Sequence, residues 1–208
     1  NFFPSLSTKL VKRFFSKCGY SKKVTYYLTR ICTLNSGLPQ GAATSPALAN
    51  LLFKELDLRI AEYCRLRAIR YTRYADDLTF SGIFAENELI NHVRKELKII
   101  DLRLNDSKTR LMLKHQRQEV TGIIVNNRLQ APRELRRKLR QAIFYIKKFD
   151  LENHLAKLKG LRANYVSHLT GKANFVLFIS PTDRDALEAL EVLKNCNSND
   201  LSTPSDDH

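Results

Sequence analysis

The sequence predicts an α+β fold, in which a small antiparallel sheet backed by helices is followed by a mostly helical segment. Three observations carry this expectation. Leu48, Leu52, Leu56 and Ile60 recur at helical spacing, the clearest of several such stripes. Aromatic and β-favouring residues flank a tight acidic turn within Arg70–Ser81, the pattern of a hairpin. After Arg128 the composition shifts to long helical patterns rich in cations. The expected organisation is a mixed unit over 1–128, a helical unit over 129–194 and a disordered polar tail over 195–208.

Taken in order, Phe2-Phe3-Pro4-Ser5 reads as the end of an extended segment stopped by Pro4. Ser7 or Thr8 then caps a helix with Leu10, Val11 and Phe14 as its apolar stripe, and Gly19 ends it. A second helix over Ser21–Ile31 would bury Val24, Tyr27, Leu28 and Ile31. Gly37-Leu38-Pro39-Gln40-Gly41-Ala42-Ala43-Thr44-Ser45-Pro46 is a loop of small residues leading into a helix, with Ser45 as expected N-cap and Pro46 as first helical residue. That helix runs to about Leu66, and the hairpin follows. Glu86–Asp101 reads as an amphipathic helix with Leu89, Ile90, Val93, Leu97 and Ile100 inward. Leu102–Asn105 alternates like a short strand, and Val120–Val125 looks like one arm of another hairpin turning at Asn126-Asn127. Pro132 starts a long helix with Leu135, Leu139, Ala142 or Ile143, and Ile146 as its apolar face. A further helix is expected over Leu151–Leu169, closed by Gly171. A strand or buried tether follows over Phe175–Ile179, then a last helix from Pro181-Thr182 to about Lys194.

Charge narrows the function classes. With 35 Lys and Arg against 21 Asp and Glu, the 208-residue chain carries a net charge of +14, which points to nucleic acid or an anionic membrane surface as partner. No apolar run approaches the roughly 20 residues of a membrane span, so no membrane partner is expected. The start lacks the pattern of a secretory signal. Cys18, Cys32, Cys64 and Cys196 form no C-x-x-C pair, which argues against a zinc site or disulfide framework and for reduced thiols in a cytoplasmic protein. The five histidines have no metal-ligand spacing.

Chemistry concentrates in Tyr74-Ala75-Asp76-Asp77. Adjacent carboxylates repel, and each raises the other's pKa unless a cation offsets them. Mg²⁺ suits such a site because it takes one or two carboxylates together with substrate phosphates; a solvated Asp-Asp turn is the alternative. The Gly37–Pro46 loop has the small residues and helix entry that phosphate binding requires, although taken by itself it favours a plain loop–helix junction. Over Ala131–Asp150, seven cations face only Glu134 and Asp150, a lopsided charge suited to phosphate contacts. Lys22, Lys23, Arg70 and Arg73 would extend that basic track, and Tyr26 and Tyr27 are candidates for stacking on bases or for packing.

In combination, Gly37-Leu38-Pro39-Gln40-Gly41 with Ser45-Pro46 and Ala49-Asn50, then Tyr74-Ala75-Asp76-Asp77, then Val120-Thr121-Gly122, resemble reverse transcriptases of the bacterial retron type from Asn1 to about Lys194. Group II intron and other bacterial reverse transcriptases share the palm motifs and are the alternative within this class; the group II loop more often reads Gly-Thr-Pro-Gln-Gly, from which Leu38 departs. The resemblance implies a polymerase palm followed by a helical thumb, with the fingers largely absent. It implies RNA-directed DNA polymerase (nucleotidyltransferase) activity with two Mg²⁺ ions, Mn²⁺ being possible. Asp76 would be the direct metal ligand and catalytic residue, and Asp77 a supporting catalytic and metal-binding acid. A further family Asp is expected in register ahead of Asn1. Its absence there would favour a catalytically inactive RNA-binding module instead. Phe3 falls at the aromatic gate against the nucleotide 2′-OH, Gln40 and Gly41 at nucleotide contacts, and Lys108 near the incoming triphosphate. Arg133, Arg136, Arg137 and Arg140 would hold nucleic acid on the thumb. The implied partners are deoxynucleoside triphosphates, a structured noncoding RNA serving as template and primer, the RNA–DNA product, and an effector protein in anti-phage defence.

Overall fold

The computed structural model of the chain describes residues 2–158 and 164–199, with side chains through 196. It divides into two units, Asn1–Leu111 and Met112–His208.

The first unit opens on a correction. Phe2–Ser5 is a helical turn (α1) and not the end of an extended segment. Pro4 is tolerated because the first turn of a helix requires no N–H from it. The Ser5 hydroxyl donates to the Phe2 carbonyl at 2.6 Å, and Leu6 N donates to Phe3 O at 3.0 Å. Ser7 caps α2 (Thr8–Lys17) by accepting from Leu10 N. Val11 is fully buried, and the chain leaves the helix through Gly19 at φ +86°.

In α3 (Lys22–Cys32) the buried face is Thr25, Thr29 and Cys32. Of the expected inward residues, Val24, Tyr27 and Ile31 are exposed and Leu28 is half-buried. Threonine can serve as a core residue here because its hydroxyl bonds back along the chain: Thr25 donates to Tyr20 O and Thr29 to Thr25 O.

The longest helix, α4 (Thr44–Arg65), buries Leu48, Leu52, Leu56 and Ile60 as expected. Its N-cap is Ala43 rather than Ser45. The buried Ser45 hydroxyl instead donates to Pro39 O at 2.6 Å, tying the preceding loop to the first turn. The hairpin consists of β1 (Arg70–Tyr74) and β2 (Asp77–Ser81), paired in register from Arg70↔Ser81 to Tyr74↔Asp77. Alternation places Tyr71 and Arg73 on the inward face of β1, with Tyr71 stacked on Phe80 of β2. Helix α5 (Glu86–Lys98) buries Leu89, Val93 and Leu97. It is tied to α4 by an ion pair from Arg59 to the buried Glu96. Residues 102–105 keep the expected alternation of exposure but pair with no strand among the described residues. Leu102 and Leu104 pack on the core instead.

The second unit begins with a miniature hairpin, β3 (Glu119–Val120) and β4 (Ile123–Ile124). Val120–Val125 is therefore both arms of a hairpin, not one, and it turns at Thr121-Gly122 rather than Asn126-Asn127. Thr121 at φ +48° and Gly122 at φ +81° both take the left-handed conformation that a two-residue turn demands. Helix α6 (Arg133–Phe149) follows Pro132 and buries Leu139, Ala142, Ile143 and Ile146.

The expected single helix over Leu151–Leu169 does not form. A short α7 (Leu151–Ala156) is followed, beyond the undescribed residues 159–163, by α8 (Tyr165–Ile179). Gly171 lies inside α8, and the apolar Phe175–Ile179 run is its last turn, not a strand. Val176 and Ile179 face inward at helical spacing, leaving Phe178 82% exposed. Short apolar runs do not distinguish strand from helix by themselves. The last helix, α9 (Arg184–Asn199), receives Asp183 Oδ1 as acceptor of Ala186 N and runs beyond the expected end at Lys194. Residues 200–208, where most of the expected tail lies, are outside the described residues. Among the described residues no helix is long and apolar enough to cross a membrane.

Candidate active site

The acidic hairpin is mounted on α4. Arg73 reaches from β1 to the helix and bonds both oxygens of Asp57: Nε to Oδ1 at 2.9 Å and to Oδ2 at 3.1 Å, and Nη2 to Oδ2 at 2.7 Å. Its Nη1 donates to Asn50 Oδ1 at 3.1 Å and to the Ala75 carbonyl at 3.0 Å. The guanidinium carbon lies 4.7 Å from the centre of the Phe53 ring. Asn50, Phe53 and Asp57 follow one another at helical spacing, so α4 presents them together. Tyr71, two residues before Arg73 and on the same strand face, donates its hydroxyl to Asp57 Oδ1 at 2.7 Å.

Electrostatics follow from that packing. The bond to the Asp57 carboxylate raises the pKa of the Arg73 guanidinium. Burial, then the bond to Asp57, pushes the Tyr71 phenol upward. Arg73, counted in sequence among cations available to nucleic acid, has a side chain only 8% exposed and belongs to the interior.

Asp76 and Asp77 sit differently. Ala75 and Asp76 form the two-residue turn, Ala75 in the left-handed region at φ +52°, and Asp77 opens β2 opposite Tyr74. Both carboxylates are exposed, and neither has a protein cation partner among the described residues. Hard carboxylate oxygens in adjacent positions, with no protein charge offsetting them, fit a divalent cation. No group of three or more His, Cys, Asp or Glu side chains suited to a metal occurs among the described residues. Asp76 and Asp77 therefore fit as a partial ligand set, of the kind Mg²⁺ completes with water and phosphate oxygens.

The Phe2–Ser5 turn and the Leu-Pro-Gln-Gly loop reach the same helix, through Phe2 on Phe53 and Ser45 on Pro39. Leu38 N donates to Phe3 O at 3.2 Å and to Leu6 O at 3.3 Å, so α1 lies directly against the Leu-Pro-Gln-Gly loop. Phe3 is half-buried, with its ring centre 5.2 Å from that of Phe2. Phe2 in turn packs edge-on against Phe53, the ring beneath Arg73. Gln40 is exposed, and Gly41 at φ +86° has open space where a side chain would project. Lys108 is exposed in a turn where its N–H donates to Asn105 O, and Arg94 braces that turn through Asp106. No side-chain bond joins Lys108 to the hairpin among the described residues.

On α6 the four nominated arginines separate. Arg136 pairs with Asp183 at 2.8 Å and Asp185 at 3.7 Å, and Arg140 pairs with Asp185 at 3.5 Å, so both face α9. Arg133 and Arg137 are exposed with no ion-pair partner among the described residues, and at helical spacing they align with exposed Phe144 and with Lys148. The Lys148 ammonium lies 5.7 Å from the Phe144 ring centre.

Asn50, Phe53 and Asp57 were not assigned functions in the sequence. For Phe53 and Asp57 the available signal was the i, i+3, i+7 spacing they share with Asn50, a polar–aromatic–acidic face on a helix otherwise read by its leucines; Asn50 also stands in the quoted Ala49-Asn50 motif.

Residues 3–125 match the reverse transcriptase (RNA-dependent DNA polymerase) family. Retron Ec86 reverse transcriptase of Escherichia coli is 36% identical over 153 residues, covering 70% of this chain and 47% of that protein. Retron Mx65 reverse transcriptase of Myxococcus xanthus is 34% identical over 190 residues, covering 81% of this chain and 44% of that protein. Retron Mx162 reverse transcriptase of the same organism is 31% identical over 219 residues, covering 86% and 45% respectively. The chain thus spans about half the length of the curated relatives it matches.

Proposed function

The chain belongs to the reverse transcriptase (RNA-dependent DNA polymerase) family, and on that premise we propose that it forms the palm and thumb of a retron-type RNA-directed DNA polymerase. The observation that carries this reading is the convergence on α4: the acidic turn, the Phe2–Ser5 turn and the Leu-Pro-Gln-Gly loop all attach to one helix. Palm residues are proposed within 1–128 and thumb residues within 129–194.

In the proposed reaction a primer 3′-hydroxyl attacks the α-phosphate of a deoxynucleoside triphosphate, and pyrophosphate leaves. Divalent cations held by Asp76 and Asp77, Mg²⁺ in our reading, would offset the charge that develops on the transferred phosphate. The chain's own residues position the reactants. Phe3, held by its carbonyl bond to Leu38, places a ring edge against the sugar and excludes a 2′-hydroxyl by contact. Gln40 offers an amide to the sugar or template backbone, and Gly41 lets the main chain approach closely. Lys108 offers a cation to the triphosphate. A structured noncoding RNA is the proposed template and primer; a protein effector and a role in phage defence extend the reading by resemblance alone.

The direct test is primer extension on an RNA template by the full-length protein with Mg²⁺. Incorporation of deoxynucleotides in preference to ribonucleotides is expected. RNA binding without extension under any divalent metal would favour the inactive RNA-binding module.

The arginine geometry makes a separate prediction. Arg137→Glu is expected to weaken RNA binding and to reduce the slope of log affinity against log salt by about one contact's worth, leaving the melting temperature unchanged. Arg136→Glu is expected to destabilise the second unit by about 3 kcal/mol, because Asp183 is left beside a second carboxylate while its side chain is only 8% exposed. Binding titrations across salt, paired with thermal melts, check both. A thermal loss from Arg137→Glu equal to that from Arg136→Glu would refute the separation.

A further inference from the structure

We propose that Arg73 is a positioning residue for the acidic turn, acting as a clamp that fixes the direction of Asp76 by holding the Ala75 carbonyl against α4. The inference rests on the polymerase reading of the hairpin. Its basis is the distribution of the Arg73 bonds. The guanidinium reaches Asp57 through Nε and Nη2 and Asn50 through Nη1, both on α4, and that same Nη1 reaches the turn at Ala75 O. One planar group therefore joins a rigid helix to the residue immediately before Asp76.

The turn requires such a hold. Ala75 sits at φ +52°, a conformation that its Cβ disfavours and that glycine would take more readily. A disfavoured backbone persists where the surroundings over-determine it, and such sites gather where geometry matters to function. Asp57 completes the device: its carboxylate orients Arg73 and is itself oriented by the Tyr71 hydroxyl at 2.7 Å. Asp57 thus serves the hairpin from beneath, whereas Asp76 and Asp77 remain exposed for a ligand. Lysine cannot reproduce the arrangement, since a single ammonium lacks the planar fork that reaches Asp57, Asn50 and Ala75 together.

The test uses Arg73→Lys, Asp57→Asn and their double variant in the full-length protein. Two readouts are required: Mn²⁺ binding followed by electron paramagnetic resonance, counting only the sites lost in Asp76→Asn, and steady-state primer extension. Arg73→Lys is expected to weaken the Asp76-dependent Mn²⁺ site several-fold. It is also expected to lower kcat by about tenfold or more, with KM for the deoxynucleotide within about twofold, because misplacement of a reacting group falls on the chemical step. The double variant is expected to lose no more than the worse single variant, since both substitutions break one unit. Unchanged Mn²⁺ affinity in folded Arg73→Lys overturns the proposal, as does a loss confined to melting temperature. If the unsubstituted protein extends no primer, the polymerase reading fails, and the Mn²⁺ titration still decides the clamp.

Discussion

Asp76→Asn is expected to reduce deoxynucleotide incorporation on a primed RNA template by about a thousandfold or more, with RNA affinity and melting temperature unchanged. The size follows from charge. Losing one carboxylate from a two-acid site removes several kcal/mol of stabilisation at the transferred phosphate, and each ~1.4 kcal/mol is tenfold in rate. The unchanged fold follows from geometry: Asp76 is exposed, and no bond from its side chain to the described residues would be lost. Asparagine also tolerates turn positions well, so the hairpin register from Arg70↔Ser81 to Tyr74↔Asp77 should persist. Asp77→Asn, at the first residue of β2, is expected to cost less. Single-turnover extension with matched RNA-binding titrations makes the measurement. Undiminished synthesis by Asp76→Asn would remove the metal assignment and with it the proposed mechanism.

What the sequence revealed and what it hid divide along physical lines. The acidic turn was legible because β-favouring residues flank two charges, and a two-residue reversal is a local property. The α4 stripe was legible because four aliphatic residues at helical spacing admit only one buried face. α3 was misread because its apolar residues are not its inward ones. Thr25 and Thr29 satisfy their hydroxyls on the backbone carbonyls of Tyr20 and Thr25 and go inside, a choice that periodicity of apolar residues does not register. Phe175–Ile179 was misread because a short apolar run fits a strand and the end of a helix equally. In the candidate site, the motif residues were legible individually, but the members that join them were not. Arg73 looks like any surface arginine until its partners on α4, some 16 to 23 residues earlier in the chain, are known.

Gly37→Ala is the substitution expected to damage the scaffold of the first unit most. A Cβ at Gly37 would press on the Pro4 carbonyl oxygen and lie 2.8 Å and 2.9 Å from the Pro4 carbonyl carbon and Cα. These are backbone atoms of a proline, so no side-chain rotation relieves the contact. Retreat is blocked on both sides. Gly37 exchanges two backbone bonds with Leu34, and the flanking residues bond to Thr8, Phe3 and Leu6. Relief therefore requires α1 to separate from the Leu-Pro-Gln-Gly loop, breaking the Leu38–Phe3 bond that places the proposed sugar gate. Overpacking of this kind costs about 3 kcal/mol, and for a chain of this size that lowers the melting temperature by on the order of 10 °C. The effect on function should exceed the effect on folding. At temperatures where the variant remains folded, discrimination between deoxynucleotides and ribonucleotides should fall, because Phe3 is displaced relative to Gln40. Thermal melts and paired incorporation assays separate the two effects. A variant that melts like the parent would mean that α1 is not held against the loop, and the gate would lose its structural basis.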